Sequence, residues 1–355
     1  MKINNRGALT NTESRFELQQ HQAFDDGWYQ EDEENLSPLE TLIMPEKAKS
    51  IISYNDSPDI GFAQSINPYR GCEHGCIYCY ARPSHGYMNL SSGLDFETKI
   101  FYKVDAAKLL ENELNKSSYQ CQTIILGANT DPYQPIESKL KITRQLLQIL
   151  NEYNHPVGII TKSSMIERDL DILGDMAKRN LASAAISVTT LSNSLKLILE
   201  PRTSGPRARL RVIKSLTQAG VPVRVMTAPI IPMINDMELE KILEFAYTAG
   251  ARHASYVLVR LPHEVKDLFK EWLAVHYPER ASHVMSIIRQ MRGGKEYDAT
   301  FGSRMRGEGE FANFLRIRFQ VACKKLGMNV TPASSLDKMS FNKKKNAQAN
   351  QMNLF

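Results

Sequence analysis

The run Asn67-Pro68-Tyr69-Arg70-Gly71-Cys72-Glu73-His74-Gly75-Cys76-Ile77-Tyr78-Cys79-Tyr80 sets the terms for the rest of the chain. Three of the five cysteines fall within it, spaced C-x3-C-x2-C. Thiolates are soft donors that suit iron–sulfur clusters, zinc or copper. Such dense spacing lets one loop wrap a compact metal site, and Gly71 and Gly75 relieve crowding beside it. A structural zinc ion wants a fourth ligand at similar spacing. Cys121 and Cys323 are far off, so His74 or His85 would have to complete such a site. Three thiolates without an evident fourth suit a cubane cluster that leaves one iron open to a substrate.

Working outward, residues 50–54 read as a short strand before the turn-forming Asn55-Asp56-Ser57-Pro58. Residues 81–94 are too irregular for a clean helix, and 100–104 read as a short strand. Asp105 starts an amphipathic helix with Ala106, Leu109, Leu110 and Leu114 on one side. From residue 121 the chain alternates. Strands are expected at 121–126, 157–161, 184–189, 222–229 and 255–260, and helices at 142–151, 170–179, 206–219 and 236–248. Thr123-Ile124-Ile125-Leu126 is a nearly all-apolar run of the kind buried in parallel sheets. Short strands alternating with longer helices imply βα units on a parallel sheet. Six units, counted from the strand before the cysteine loop, make an α/β fold: a partial (β/α)6 TIM-like barrel. The alternation fades after Val259, which argues against a closed barrel of eight. Polar turns at the carboxyl ends of the strands would form the active face, with the cysteine loop on it.

Residues 1–47 are polar and irregular, an N-terminal extension without an evident buried element. The barrel spans 48–264, and helices near 265–274, 281–291 and 311–326 form a C-terminal helical closure over 265–331. Residues 332–355 turn to Ser, Asn, Lys and Gln, a flexible tail. A chain of 355 residues, 42% hydrophobic and 23% charged, has the composition of a globular protein. It shows no apolar run of membrane-spanning length and no signal-peptide segment, and its clustered cysteines are no disulfide framework; a cytoplasmic protein is expected. A net charge of +5 is compatible with a polyanionic substrate.

The triad with Tyr78 directly before its last cysteine resembles the signature of the radical S-adenosylmethionine enzymes. The longer run from Ser65-Ile66 through Cys79-Tyr80-Ala81-Arg82-Pro83 resembles more narrowly the spore photoproduct lyase-like branch, related to DNA repair photolyases. The resemblance covers roughly residues 48–329. It implies that Cys72, Cys76 and Cys79 hold three irons of a [4Fe-4S] cluster and that the fourth chelates S-adenosylmethionine. Cleavage with an electron from an external one-electron reductant would then give a 5'-deoxyadenosyl radical. The family places adenine near Tyr78. Relatives bind the cofactor's amino group after the second barrel strand, where an ammonium needs carbonyls or a carboxylate; Asn129, Thr130 and Asp131 stand there. Lys162 and Ser163 follow the third strand within reach of the methionine carboxylate, and Thr189, after the fourth, within reach of the ribose. An apolar loop over 229–236 would wall the adenine, with Asn235 capping the next helix.

Arg202, Arg207, Arg209 and Arg211 surround a Gly-Pro turn, and the arginine fork fits phosphate or carboxylate. Arg202 and Arg207, with Arg304 and Arg306 from a family-like segment, are the expected substrate contacts. One departure matters. Spore photoproduct lyase returns a hydrogen atom from a cysteine in the turn after its second strand, whereas 127–131 here holds no thiol. Tyr80 is the catalytic candidate for that role, with an external reductant as the alternative. Finally, Gln351, Leu354 and Phe355 resemble the bacterial sliding-clamp-binding peptide, which points to the clamp as partner and to DNA. The expected function is a lyase-like radical enzyme that repairs or modifies DNA. Radical modification of RNA or protein is an alternative, as is a non-enzymatic metal-containing adaptor between clamp and DNA.

Overall fold

The computed structural model describes residues 5–12, 15, 16, 39–332 and 335–343. Its elements run β1 (Leu42–Glu46), β2 (Ile52–Tyr54), β3 (Gln64–Ile66), β4 (Tyr69–Arg70), α1 (Leu94–Thr98), β5 (Lys99–Lys103), α2 (Ala106–Leu114) and β6 (Ile124–Leu126). They continue with α3 (Glu137–Leu140), α4 (Ile142–Glu152), β7 (Val157–Thr161), α5 (Leu170–Lys178), β8 (Ala182–Ser187), α6 (Asn193–Leu199), α7 (Pro206–Gln218) and β9 (Val223–Ile230). Last come α8 (Leu239–Thr248), β10 (His253–Leu258), α9 (Val265–His276), α10 (Ala281–Gln290) and α11 (Gly309–Leu326).

Six strands, β3-β6-β7-β8-β9-β10, lie side by side in chain order and all pair in parallel. This is the expected partial (β/α)6 barrel, preceded by an N-terminal extension and followed by helices. The strands are short and apolar because both faces are covered. In β7, Val157 and Ile159 are at most 1% exposed. The matching helices turn one stripe inward: Leu146, Leu147 and Leu150 of α4 are fully buried. The C-terminal helices close the open side. Trp272 of α9 is buried and donates its indole N–H to the Ile198 carbonyl at 2.9 Å, and the Leu258 amide on the edge strand bonds the Met305 carbonyl at 3.0 Å.

Two expectations need correction. The strand read at 50–54 is β2, an antiparallel edge on β3, and not the first barrel strand. That place belongs to β3, whose Gln-Ser-Ile run carries too little apolar pattern to stand out. The strand read at 100–104 is present as β5 and lies outside the barrel, in a separate sheet with β1 and β4. The extension also has a buried part. Arg6 and Ala8 are buried, and the Gly7 and Ala8 amides bond the Glu97 carboxylate at 2.9 and 2.8 Å. Among the described residues no helix is long and apolar enough to cross a membrane.

Candidate active site

The cysteine loop leaves β4 through Gly71 and turns again at Gly75, with φ of +78° and +67°, a region that favours glycine. Backbone bonds fix it: the Cys72 amide to the Phe96 carbonyl at 2.9 Å and the Cys79 amide to the Cys76 carbonyl at 3.2 Å. Beneath it lies Arg82, fully buried, whose Nε donates to the Cys76 carbonyl at 2.9 Å and whose fork pairs with the equally buried Glu97. Glu97 in turn receives the two leader amides. Gly7 packs so tightly that a Cβ there would fall 1.7 Å from the Gly75 carbonyl oxygen. From the other side the Glu73 carboxylate accepts from the Ile136 amide at 2.7 Å and from Arg202 at 3.1 Å. Arg82 stands in the quoted motif without a role, and nothing in the sequence singles out Glu97. Both become legible only when the leader folds back.

The donor set fits a polynuclear cluster. Cys72 and Cys76 are each 7% exposed and Cys79 is half-buried. Burial pushes the Cys72 thiol well up, and the nearby Asp131, Cys76 and Cys79 charges add to it. Burial and then Glu200 push Cys76 up to about 12. The two buried thiols, Cys72 and Cys76, need positive charge beside them to ionise, and a cluster's irons supply it. Among the described residues no three His, Cys, Asp or Glu side chains converge on a single ion-sized point. Cubane ligation does not ask that of three thiolates, since each meets its own iron.

Behind the loop, Tyr78 is buried and its hydroxyl donates to Glu200. Thr189 Oγ1 donates to the same carboxylate at 2.7 Å, and Arg209, also buried, pairs with its other oxygen and bonds Thr203 Oγ1 at 2.6 Å. Burial alone would raise the Glu200 pKa; Arg209 and Lys162, with the hydrogen bonds, outweigh it and hold it at about 2. The Lys162 ammonium lies 5.9 Å from the centre of the Tyr78 ring. Against the pull of burial, Cys76 and Glu200 raise its pKa, and it makes no ion pair among the described residues. Glu200 and Arg209 organise this floor. Spacing alone grouped Arg209 with its solvent-facing neighbours.

The turn after β6 begins at Gly127, φ +89°, where a Cβ would meet the Ile160 carbonyl oxygen at 2.2 Å. Asp131 accepts from Thr161 Oγ1 at 2.7 Å and the Lys162 amide at 2.8 Å, so it ties this turn to the next one. Thr130 Oγ1 donates to the Tyr69 carbonyl at 2.8 Å, and Ser163 caps the 3-10 turn that follows β7. Asn129 is exposed, its amide held by Asn67. Asn235 braces the loop after β9 by donating to the Thr189 and Pro229 carbonyls at 2.9 and 3.0 Å. The fold thus gathers Tyr78, Lys162 and Thr189 around Cys76 and Glu200. Tyr80, whose hydroxyl donates to the Ala128 carbonyl, shares a recess with Asn129. The arginines divide: Arg202 is occupied by Glu73, Arg304 by Asp59 and Ser57, while Arg207 and Arg306 are exposed. Gln351, Leu354 and Phe355 lie outside the described residues.

Fold and site together define a partial (β/α)6 barrel with a three-thiol loop after its first parallel strand. Residues 66–246 match the Radical SAM superfamily, and the chain belongs to that superfamily. It is 33% identical over 231 residues to "Uncharacterized protein Rv2578c" of Mycobacterium tuberculosis, covering 64% of this chain and 68% of that one. "Uncharacterized protein MJ0683" of Methanocaldococcus jannaschii is 27% identical over 233 residues, 66% of this chain and 83% of that one. In fold the chain is similar to spore photoproduct lyase complexed with dinucleoside spore photoproduct, with a TM-score of 0.58 at 16% identity over 81% of this chain and 80% of that one. That likeness is one of fold.

Proposed function

We propose that this chain is a radical S-adenosylmethionine enzyme that repairs or modifies DNA. The observation that carries the reading is the trio of cysteines on one braced loop, two of them buried, beside the Lys162 ammonium, which makes no ion pair among the described residues. Bound by Cys72, Cys76 and Cys79, a [4Fe-4S] cluster would supply the electron that cleaves S-adenosylmethionine to a 5'-deoxyadenosyl radical. The chain's own residues do the rest. Lys162 and Ser163 meet the methionine carboxylate, Asn129 at the open turn meets the amino group, and Tyr78 and Thr189 wall the adenosine. Thr130 and Asp131 hold the shape of that turn.

With no thiol in 127–131, Tyr80 is assigned the return of hydrogen. Its phenolic O–H gives one hydrogen atom to the substrate radical, and the resulting tyrosyl radical takes one electron and one proton from the external reductant and solvent. DNA is favoured by the net charge of +5 and by the clamp-like terminal peptide with Gln351, Leu354 and Phe355, which would dock the enzyme on a sliding clamp. Arg207 and Arg306 are exposed, make no ion pair among the described residues and could meet a backbone; Arg202 and Arg304 would reach one only by leaving their carboxylates. The test is anaerobic reconstitution with dithionite, S-adenosylmethionine and ultraviolet-damaged or alkylated DNA. Release of 5'-deoxyadenosine that rises with one of these DNAs supports the reading, and cleavage indifferent to every DNA removes DNA as the substrate.

A further inference from the structure

Where β10 ends, a groove opens beside the cysteine loop. Its inner part, about 210 Å³, is lined by Tyr80, Tyr87, Asn129, Arg260, Tyr297 and Arg15. It adjoins a recess of about 360 Å³ through the shared His263 and Tyr297, where Lys266 and Lys295 add charge. Arg260 is the informative residue. Its Nε is buried with no hydrogen-bond partner, and its fork bonds only the Met305 sulfur, at 3.3 Å, among the described residues. Proteins rarely leave such a donor unmet, which marks Arg260 as a guanidinium whose hydrogen-bonding capacity the described residues do not fill.

A second guanidinium stands close by. Arg292 is 4% exposed and donates to the Ser303 and Val259 carbonyls. Burial and the Arg260 charge both lower its pKa. Neither arginine has an ion pair among the described residues. The nearby carboxylates are engaged elsewhere: Glu264 by Arg15, Glu296 by Lys270 and Arg289, Asp298 by Thr300. The groove therefore presents surplus positive charge at its floor.

Its walls are aromatic and open. Tyr80 is 48% and Tyr87 73% exposed. The Arg260 guanidinium sits 5.5 Å from the Tyr80 ring centre, and Arg15 lies against Phe16 and Tyr87 at 4.6 and 5.7 Å. A simple anion would need the arginines but not the rings; a base carried on a phosphodiester uses both. Bases inside a duplex are stacked away, so only an unpaired nucleotide presents its faces to such walls.

We propose that this groove takes an unpaired nucleotide of single-stranded DNA, its phosphodiester on Arg260 backed by Arg292 and its base among Tyr80, Tyr87 and Tyr297. The proposal rests on the DNA-directed radical reading and adds how the substrate is seated: the base comes to lie beside the Tyr80 hydroxyl.

The test uses the full chain reconstituted anaerobically and fluorescence anisotropy with a short labelled single-stranded oligodeoxynucleotide, its duplex and an RNA of the same sequence, across a salt series. Arg260→Gln should weaken single-strand binding about tenfold and flatten the slope of log affinity against log salt by about 0.7, as loss of one phosphate contact requires. Tyr87→Ala, on the surface, should weaken binding about tenfold with the salt slope kept. Lys178→Gln, exposed at the amino end of the barrel, should match the wild type. Equilibrium dialysis of S-adenosylmethionine on Arg260→Gln gives the other arm. Loss of cofactor affinity instead of DNA affinity assigns Arg260 to the cofactor and overturns the proposal. Wild-type DNA binding unmoved by Arg260→Gln and Tyr87→Ala overturns the groove while the DNA reading stands. Tighter binding of the duplex or the RNA overturns the single-stranded DNA assignment. If the wild type binds no nucleic acid, the groove and DNA fall together, and only the 5'-deoxyadenosine assay still bears on radical chemistry.

Discussion

At Gly7 a single hydrogen atom separates a closed site from an open one. A Cβ there would meet the Gly75 carbonyl oxygen at 1.7 Å, so the leader and the cysteine loop cannot both keep their places in Gly7→Ala. That variant should reconstitute with less iron and lose its cluster absorbance faster in air than the wild type; equal iron content and lifetime would show that the leader is dispensable. Arg82 and Glu97 matter for the same loop by charge. Removing one partner of a fully buried pair typically costs about 3–5 kcal/mol, because the survivor stays buried and charged. Glu97→Gln leaves Arg82 in that position and should lower the urea midpoint of the apo protein accordingly. At this scale the cysteines were legible from spacing alone. Glu97 was not, because its importance lies in contacts with residues some ninety positions earlier in the chain, which no local pattern encodes.

Among elements, the connection between α6 and α7 is the one that couples stability to the site. Glu200 ends α6 and Arg209 sits on the inner face of α7, so the pair joins both helices behind Tyr78. Arg209→Met should destabilise the protein by roughly 3 kcal/mol in urea titration, with loss of cofactor affinity since Thr189 and Tyr78 lose their common acceptor. Sequence periodicity found α7 but treated its arginines alike, because periodicity does not reveal that a charged position has a buried counter-charge waiting. The same limit hid β3: three residues inside a motif loop have no room to show a period. Two histidines make a second element-scale prediction. Burial lowers His85, against Phe96 and Phe101, and His155, between Tyr119 and Phe341, from the ordinary 6.5 to about 4. Their folded pKa lies below the unfolded one, so the unfolded chain binds more protons as pH falls through 6.5. Stability is intact above that point and drains away toward about pH 4, with a slope of up to about 1.4 kcal/mol per pH unit for each histidine. His155→Phe should reduce the slope measured by urea titration between about pH 7 and about pH 5 by up to about 1.4 kcal/mol per pH unit; an unchanged slope would place the effect elsewhere.

For the whole molecule, the alternation of strands and helices gave the architecture, since each parallel strand is covered on both faces and its sequence shows it. The order of the six strands follows chain order, as consecutive βα units most often lie side by side. What the alternation could not show was the folding-back of residues 5–12 beneath the cysteine loop, or the departure of β5 to a sheet with β1. Both are pairings of short segments far apart in the chain, which no local pattern encodes. The tail is a separate matter of address. Removing Leu354 and Phe355 should abolish capture by an immobilised sliding clamp and leave S-adenosylmethionine cleavage as it was; loss of cleavage would mean that these residues serve the core.

The claim on which the rest depends is that Cys72, Cys76 and Cys79 hold a redox-active cluster. Anaerobic reconstitution followed by metal and sulfide analysis and a dithionite-driven assay on one preparation tests it directly. The account predicts about four irons and four sulfides per chain, with 5'-deoxyadenosine formed from S-adenosylmethionine and none formed when any of the three cysteines is changed to alanine. One tightly held zinc per chain, or a complete cluster that never cleaves S-adenosylmethionine, would contradict it.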